Sequence, residues 1–179
     1  FLKALVVAWV ACGCMLVVFG DNLDPAAPHE MGPNYAVVYS KLTPERKATI
    51  GLEMFGLGDE GFAASRSLML VARQGTEVVA AYLLPGKYEL GGLQLETRGG
   101  NSLSTIFKRH QRDEYAYFGI DAGTCNWIGD YVVDASVMRG ARVTQLTDES
   151  SFAAASAVFK ERFADLAGRC SLRNALIER

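Results

Sequence analysis

The first twenty residues, FLKALVVAWVACGCMLVVFG, hold a single charge, Lys3, and no acid. Coiled as a helix, they span about 30 Å, the thickness of the hydrocarbon core of a bilayer. Lys3, close to one end, can snorkel to the headgroups. Asp21, Asn22, Asp24 and Pro25 then stop the run sharply. A helix apolar on every face needs surroundings that a domain of this size cannot easily supply, which leaves a buried core helix as the weaker alternative. The run points to a membrane-spanning signal-anchor with its basic end on the cytoplasmic side.

A cleaved signal segment is the other reading of the same residues. Ala11-Cys12-Gly13-Cys14 resembles a bacterial lipobox, with Gly13 ahead of Cys14, the lipidation candidate. Ala11 stands where leucine is usual, and the apolar run continues from Met15 to Phe19, past the cleavage point. In both cases the remaining chain faces outward. The expected location is a bacterial inner membrane, crossed once, with the globular part in the periplasm; the alternative is an outer-membrane lipoprotein. Only one of the 18 Lys and Arg lies in residues 1–20, so the rest carries 17 basic against 20 acidic groups and is mildly acidic. The whole chain has net charge −2 and a pI near 5.7, which offers no electrostatic footprint for DNA or RNA. With 50% apolar and 21% charged residues, it can bury a core and is not a disordered chain.

Residues 21–33 (DNLDPAAPHEMGP) carry three of the five prolines and no periodicity, and read as a linker. From residue 34 onward the pattern is mostly β. Tyr35 to Tyr39 is aromatic and β-branched. Thr43-Pro44-Glu45 reads as the cap of a single helical turn. Ile50, Leu52 and Met54 alternate with Gly51, Glu53 and Phe55. Ser67–Arg73 and Glu77–Leu84 flank Gln74-Gly75-Thr76, a hairpin signal. Gly91-Gly92 marks a bulge between Tyr88–Leu90 and Leu93–Leu95. Tyr115–Ile120 and Cys125–Val133 are further strands, and Arg139-Gly140 turns into Val143 and Leu146. The period then changes. After a cap at Thr147 or Asp148, Phe152, Ala155, Phe159, Phe163, Leu166 and Cys170 recur at spacings of three and four. The expectation is an α+β chain, mainly β: an antiparallel β-sandwich over 34–179 with one C-terminal amphipathic helix, 148–169, laid on a sheet face. It is preceded by the membrane-spanning or signal helix and the linker.

Leu84-Pro85-Gly86-Lys87-Tyr88-Glu89-Leu90 resembles the Pro-Gly turn and strand of prealbumin-like domains. Ile120-Asp121-Ala122-Gly123, leading to Trp127-Ile128-Gly129-Asp130, is similar to the later strand pair of such domains in uncharacterised bacterial envelope proteins and lipoproteins. The resemblance covers roughly residues 65–146 and implies a non-catalytic β-sandwich. It transfers no active-site residue.

The remaining motifs have bland readings beside sharper ones. Gly56-Leu57-Gly58-Asp59-Glu60-Gly61 fits the glycine spacing of a dinucleotide loop, which needs a helix directly after it. Asp59 and Glu60 would place two negative charges beside a phosphate, so a plain glycine loop is the better reading. His29 and His110 are the only histidines and are isolated in sequence, which gives no zinc spacing. Asp121, Asp130 and Asp134 cluster without any sign of a facing carboxylate pair. No cofactor and no catalytic residue are expected. Cys125 and Cys170 are the disulfide candidates; two buried free thiols are the alternative. Tyr35, Tyr39, Tyr115 and Tyr117, with Arg109 and Arg112 of the basic run 108–112, are the candidates for an interaction surface. Function follows from what is missing and from the apolar segment: a membrane-anchored accessory or structural subunit of an envelope complex, with the membrane and other subunits as partners. A lipoprotein or periplasmic module that binds a small molecule or lipid is the alternative.

Overall fold

A computed structural model describes residues 21–177, apart from 45–47, 59–60, 74, 98–101, 113 and 137–139. The expected membrane or signal helix, with Cys14, lies outside the described residues. No helix among those described is long and apolar enough to cross a membrane. The elements are β1 (Ala36–Pro44), β2 (Ala48–Gly58), β3 (Gly61–Arg73), β4 (Glu77–Leu83), β5 (Gly86–Thr97), β6 (Ser102–Ile106), the single turn α1 (Arg109–Arg112) and β7 (Tyr117–Ile120). They continue with β8 (Thr124–Trp127), β9 (Asp130–Ser136), β10 (Gly140–Leu146), α2 (Glu149–Arg162), α3 (Ala164–Ala167), β11 (Ser171–Asn174) and β12 (Leu176–Ile177).

Two six-stranded sheets face each other, and α2 covers the outer face of the first. The first sheet runs β10-β9-β1-β8-β11, with β4 on the other side of β1; the second runs β12-β7-β5-β2-β3, with β6 beside β5. Successive side chains of a strand point to opposite faces. Ala36, Val38 and Leu42 of β1 therefore join the core between the sheets, while Val37 and Tyr39 join a second core under α2. A strand buried on both faces has no polar face to show, which is why β1 begins as an unbroken apolar run. Ile50, Leu52 and Met54 of β2 meet Leu90, Leu93 and Leu95 of β5 on the inner face of the second sheet.

The sheets are not wholly antiparallel, as the sandwich reading expects. β1 pairs in parallel with β8 and with β9, and β8 in parallel with β11. The chain comes back to the first sheet once at β4, antiparallel to β1, and again at β8 in the direction of β1, which permits parallel pairing. At the β8–β9 corner Gly129 has φ +95, a conformation that suits glycine, and Ser40 Oγ donates to its carbonyl at 2.6 Å. Thr43 and Pro44 form no helical turn; they end β1, opposite Val132 and Val133. Proline is tolerated at such a strand end.

β3 and β4 do not form the expected hairpin. β3 pairs with β2 and β4 with β1, so Gly75–Thr76 lies in a corner between the sheets. Leu70, Ala72, Val79 and Ala81 still face one core, so their alternation suits a corner as well as a hairpin. The expected bulge is present. Gly92 opposes Glu53 and Leu90 opposes Met54, which leaves Gly91 as the extra residue. A Cβ on Gly91 would fall within the ring of Phe55, itself buried. Gly91→Ala is expected to cost about 1–3 kcal/mol by overpacking. In urea titrations that cost should shrink when Phe55 is also alanine; strictly additive losses would refute the contact.

Residues 21–33 form no helix or strand, yet they are not a free linker. The Asp21 N–H donates to Met69 O at 2.9 Å, and the Met69 N–H donates to Asp21 Oδ2 at 2.8 Å. Asn22 makes the same kind of exchange with Val71 through its amide side chain, at 2.6 and 2.9 Å. The Leu23 N–H then donates to Ala80 O on β4 at 2.7 Å. The segment straps the corner between the sheets and occupies edges that would otherwise stay open.

α2 starts at the N-cap Asp148, whose carboxylate accepts from the Ser151 N–H at 2.9 Å. Bonds from the Ser150 hydroxyl, the Ser151 N–H and the Ser151 hydroxyl hold the Asp148 carboxyl down at about 2. The expected single helix 148–169 is broken at Phe163, where φ −126 and ψ 50 leave the helical region, and α3 resumes after it. The apolar stripe survives the break: Ala155, Phe159, Phe163 and Leu166 are buried in the second core, with Phe152 and Cys170 packed against it.

Candidate functional site

The two cysteines outside the first segment meet. Cys125, fully buried on β8, is bonded to Cys170, half-buried after α3, with Cα atoms 5.6 Å apart. The bond ties the turn that follows the helices to the first sheet.

The tyrosines and arginines singled out in the sequence do not form one surface. Tyr39 is fully buried; its ring stacks on Phe159 at 4.3 Å and its hydroxyl lies 2.7 Å from Ser156 Oγ. Burial pushes its pKa up to about 12. Tyr39 is therefore a core residue and not a contact residue. Tyr35 is 46% exposed at the start of β1, with its ring edge-on to Tyr82. Tyr115 is half-buried against Phe107, and Tyr117 is half-buried on β7, opposite Ile177. Arg112 turns onto the buried Glu89 of β5 as an ion pair. Arg109 begins α1, and its side chain lies outside the described ones.

The three aspartates separate in the same way. Asp121 is exposed and pairs with Arg173, and Asp134 is exposed on β9. Asp130 is 3% exposed beneath the Gly129 corner. Its Oδ1 accepts from Trp127 Nε1–H at 2.8 Å and from the Lys41 N–H at 3.2 Å. Burial raises its pKa, against the bonds from Trp127 and Lys41. A raised carboxyl contributes stability that is fully present below its unfolded pKa, about 4, and is lost as pH rises through the folded value. Asp130→Asn keeps an acceptor and removes the charge. Its urea midpoint should gain on wild type between pH 4 and 7, and a constant difference over that range would count against a buried charge. Asp130→Ala leaves the buried indole N–H unpaired and should cost about 1–3 kcal/mol.

A second polar cluster has no counterpart in the sequence reading. His29 is 6% exposed, and its ring lies against Phe163 at 5.7 Å. Its backbone N–H donates to Asp165 Oδ2 at 2.9 Å, and its Nδ1 lies 3.0 Å from the same oxygen. Arg169 Nη1 donates to the His29 carbonyl at 3.1 Å. Desolvation works the other way, yet the His29 backbone and ring bonds hold Asp165 below the usual carboxylate range. The partners stand 136 positions apart, so no local spacing could reveal them.

Two open grooves are lined by described residues. One of about 560 Å³ lies between the residues around α1 and strand β10, lined by Phe107, Gln111, Glu114, Tyr115, Arg142 and Gln145 among others. The other, of about 580 Å³, lies between the strap and the helices, beside Pro28, His29, Glu161 and Asp165. The glycine motif 56–61 belongs to the β2–β3 hairpin, with Leu57 opposite Phe62, so the helix that a dinucleotide loop requires is a strand here. Among the described residues no group of three or more His, Cys, Asp or Glu could hold a metal ion. No protein-family model matches the chain, and neither does any curated protein or solved structure searched.

Proposed function

We propose that this chain is a non-catalytic accessory subunit of an envelope complex, held at a membrane by residues 1–20 with its two-sheet body on the outer side. The Cys125–Cys170 bond carries the reading, because structural disulfides persist in oxidising, extracytoplasmic compartments. The edge strand β6 supports a role in assembly. It holds no charge, and it exposes Leu103 at 38% and Ile106 at 68%. The Pro85-Gly86 and Asp121–Gly123 turns support a prealbumin-like sandwich, from which the parallel pairs around β1 depart.

The groove beside Tyr115 favours a second reading, a lipoprotein carried on Cys14 or a periplasmic module that binds a small molecule or lipid. The space between the sheets is filled by Leu52, Met54, Leu70 and Tyr131, so a ligand would sit in a surface groove such as this one. Native mass spectrometry of the protein extracted from its own membranes in mild detergent separates the readings. Fixed-stoichiometry partners on a chain that keeps residues 1–20 are expected. A lone protein bearing a diacylglyceryl group or a co-purifying small molecule would overturn the subunit reading in favour of the second.

A further inference from the structure

We infer that the Cys125–Cys170 bond is a redox latch that sets how firmly the strap, residues 21–33, is clasped to the domain. The strap is fastened at two ends by different means. Its start is tied to sheet edges, through Asn22 on Val71 and Leu23 on Ala80. Its other end, where Met31 packs on the second core, is clasped by the segment after α2: Asp165 accepts both His29 bonds, and Arg169 donates to the His29 carbonyl. Both residues lie within five positions of Cys170. α3 has a single turn and one buried side chain, Leu166, and β11 beyond it exposes both of its end residues. β11 is paired with β8, and the bond from Cys170, one residue ahead of β11, to the fully buried Cys125 is the covalent attachment of the residues that grip His29.

The reaction is ordinary thiol–disulfide exchange. A thiolate of a dithiol reductant attacks the sulfur of Cys170, the less buried of the two cysteines, and Cys125 leaves as thiolate, taking up a proton. The reductant's second thiol then displaces Cys170. The bridge gains two electrons and two protons, and the reductant becomes a disulfide. With the bridge open, Arg169 and Asp165 hold the strap with fewer constraints. By linkage, loosening the clasp must ease reduction by the same factor. The inference is independent of which partner the domain serves.

Amide hydrogen exchange on the full chain, oxidised and reduced with a phosphine, reads the latch. Reduction should speed exchange of the His29 N–H about tenfold and leave the Leu23 N–H, at the other end of the same strap, within about twofold. Unchanged His29 exchange would overturn the inference, and so would an equal rise of His29 and Leu23, which open at the two ends of the same strap. A second measurement needs no stable reduced form. In glutathione redox titrations, Asp165→Ala should shift the equilibrium several-fold toward the dithiol, while Asn22→Ala, which loosens the other fastening, should shift it less than twofold. Equal shifts for the two variants would show general destabilisation and overturn the latch.

Discussion

Phe159→Ala is expected to lower the unfolding free energy by about 3–5 kcal/mol, the loss seen when a large aromatic is truncated in a core that cannot collapse. Phe159 is fully buried, with the rings of Tyr39 and Phe163 stacked against it at 4.3 Å and 5.3 Å. Neither neighbour can move far into the void. Tyr39 sits on a strand paired along both edges, and its hydroxyl is already bonded to Ser156 of α2. Phe163 is fixed by the break between the helices and by His29 on its far side. Val158→Ala, one position away and 39% exposed, should stay within about 0.5 kcal/mol. Urea unfolding followed by fluorescence of the buried Trp127 would compare them, and equal midpoints would refute the docking of this face.

The contrast between those neighbours shows what the sequence makes legible. The stripe from Phe152 to Cys170 can be read directly, because a helix packed on a sheet must repeat its apolar residues every three or four positions. The inner faces of β2 and β5 and the bulge at Gly91 are legible for the same reason: they follow from alternation and from a glycine pair that breaks it. Pairing is far less legible. β3 and β4 carry the same alternation whether their connection is a hairpin or a corner, and the short turn fits both. The parallel contacts of β1 with β8 and β9 join residues nearly ninety positions apart, and no local pattern encodes them. Burial on the second face of β1 is hidden for a related reason. A tyrosine such as Tyr39 suits a half-exposed strand equally well, and only the arrival of α2 takes it from solvent. The docking of the strap is not legible, because proline-rich, aperiodic residues look alike whether they float or dock. Its anchors, Asp21, Asn22 and His29, act one hydrogen bond at a time.

The second large effect concerns the cross-link. Cys125 and Cys170 are 45 positions apart, and closing a loop of that length removes enough unfolded-state entropy to stabilise the fold by about 4 kcal/mol. Cys125→Ala and Cys170→Ala each abolish the same bond, so each single variant should lose about that amount and the double variant little more. Two independent buried thiols would instead give losses that add. Because the bond acts on the unfolded chain, the variants should also unfold with a steeper urea dependence, from a denatured state that exposes more surface. Thiol labelling gives an independent check. In the unreduced folded protein, reagent should reach neither Cys125 nor Cys170. After reduction, wild type should take on the midpoint of the double variant. Agreement in midpoint without any protection from labelling would mean that packing, and not the cross-link, accounts for the loss. The second core would then owe its stability to the packing of Tyr39, Trp127, Phe159, Phe163 and Leu166.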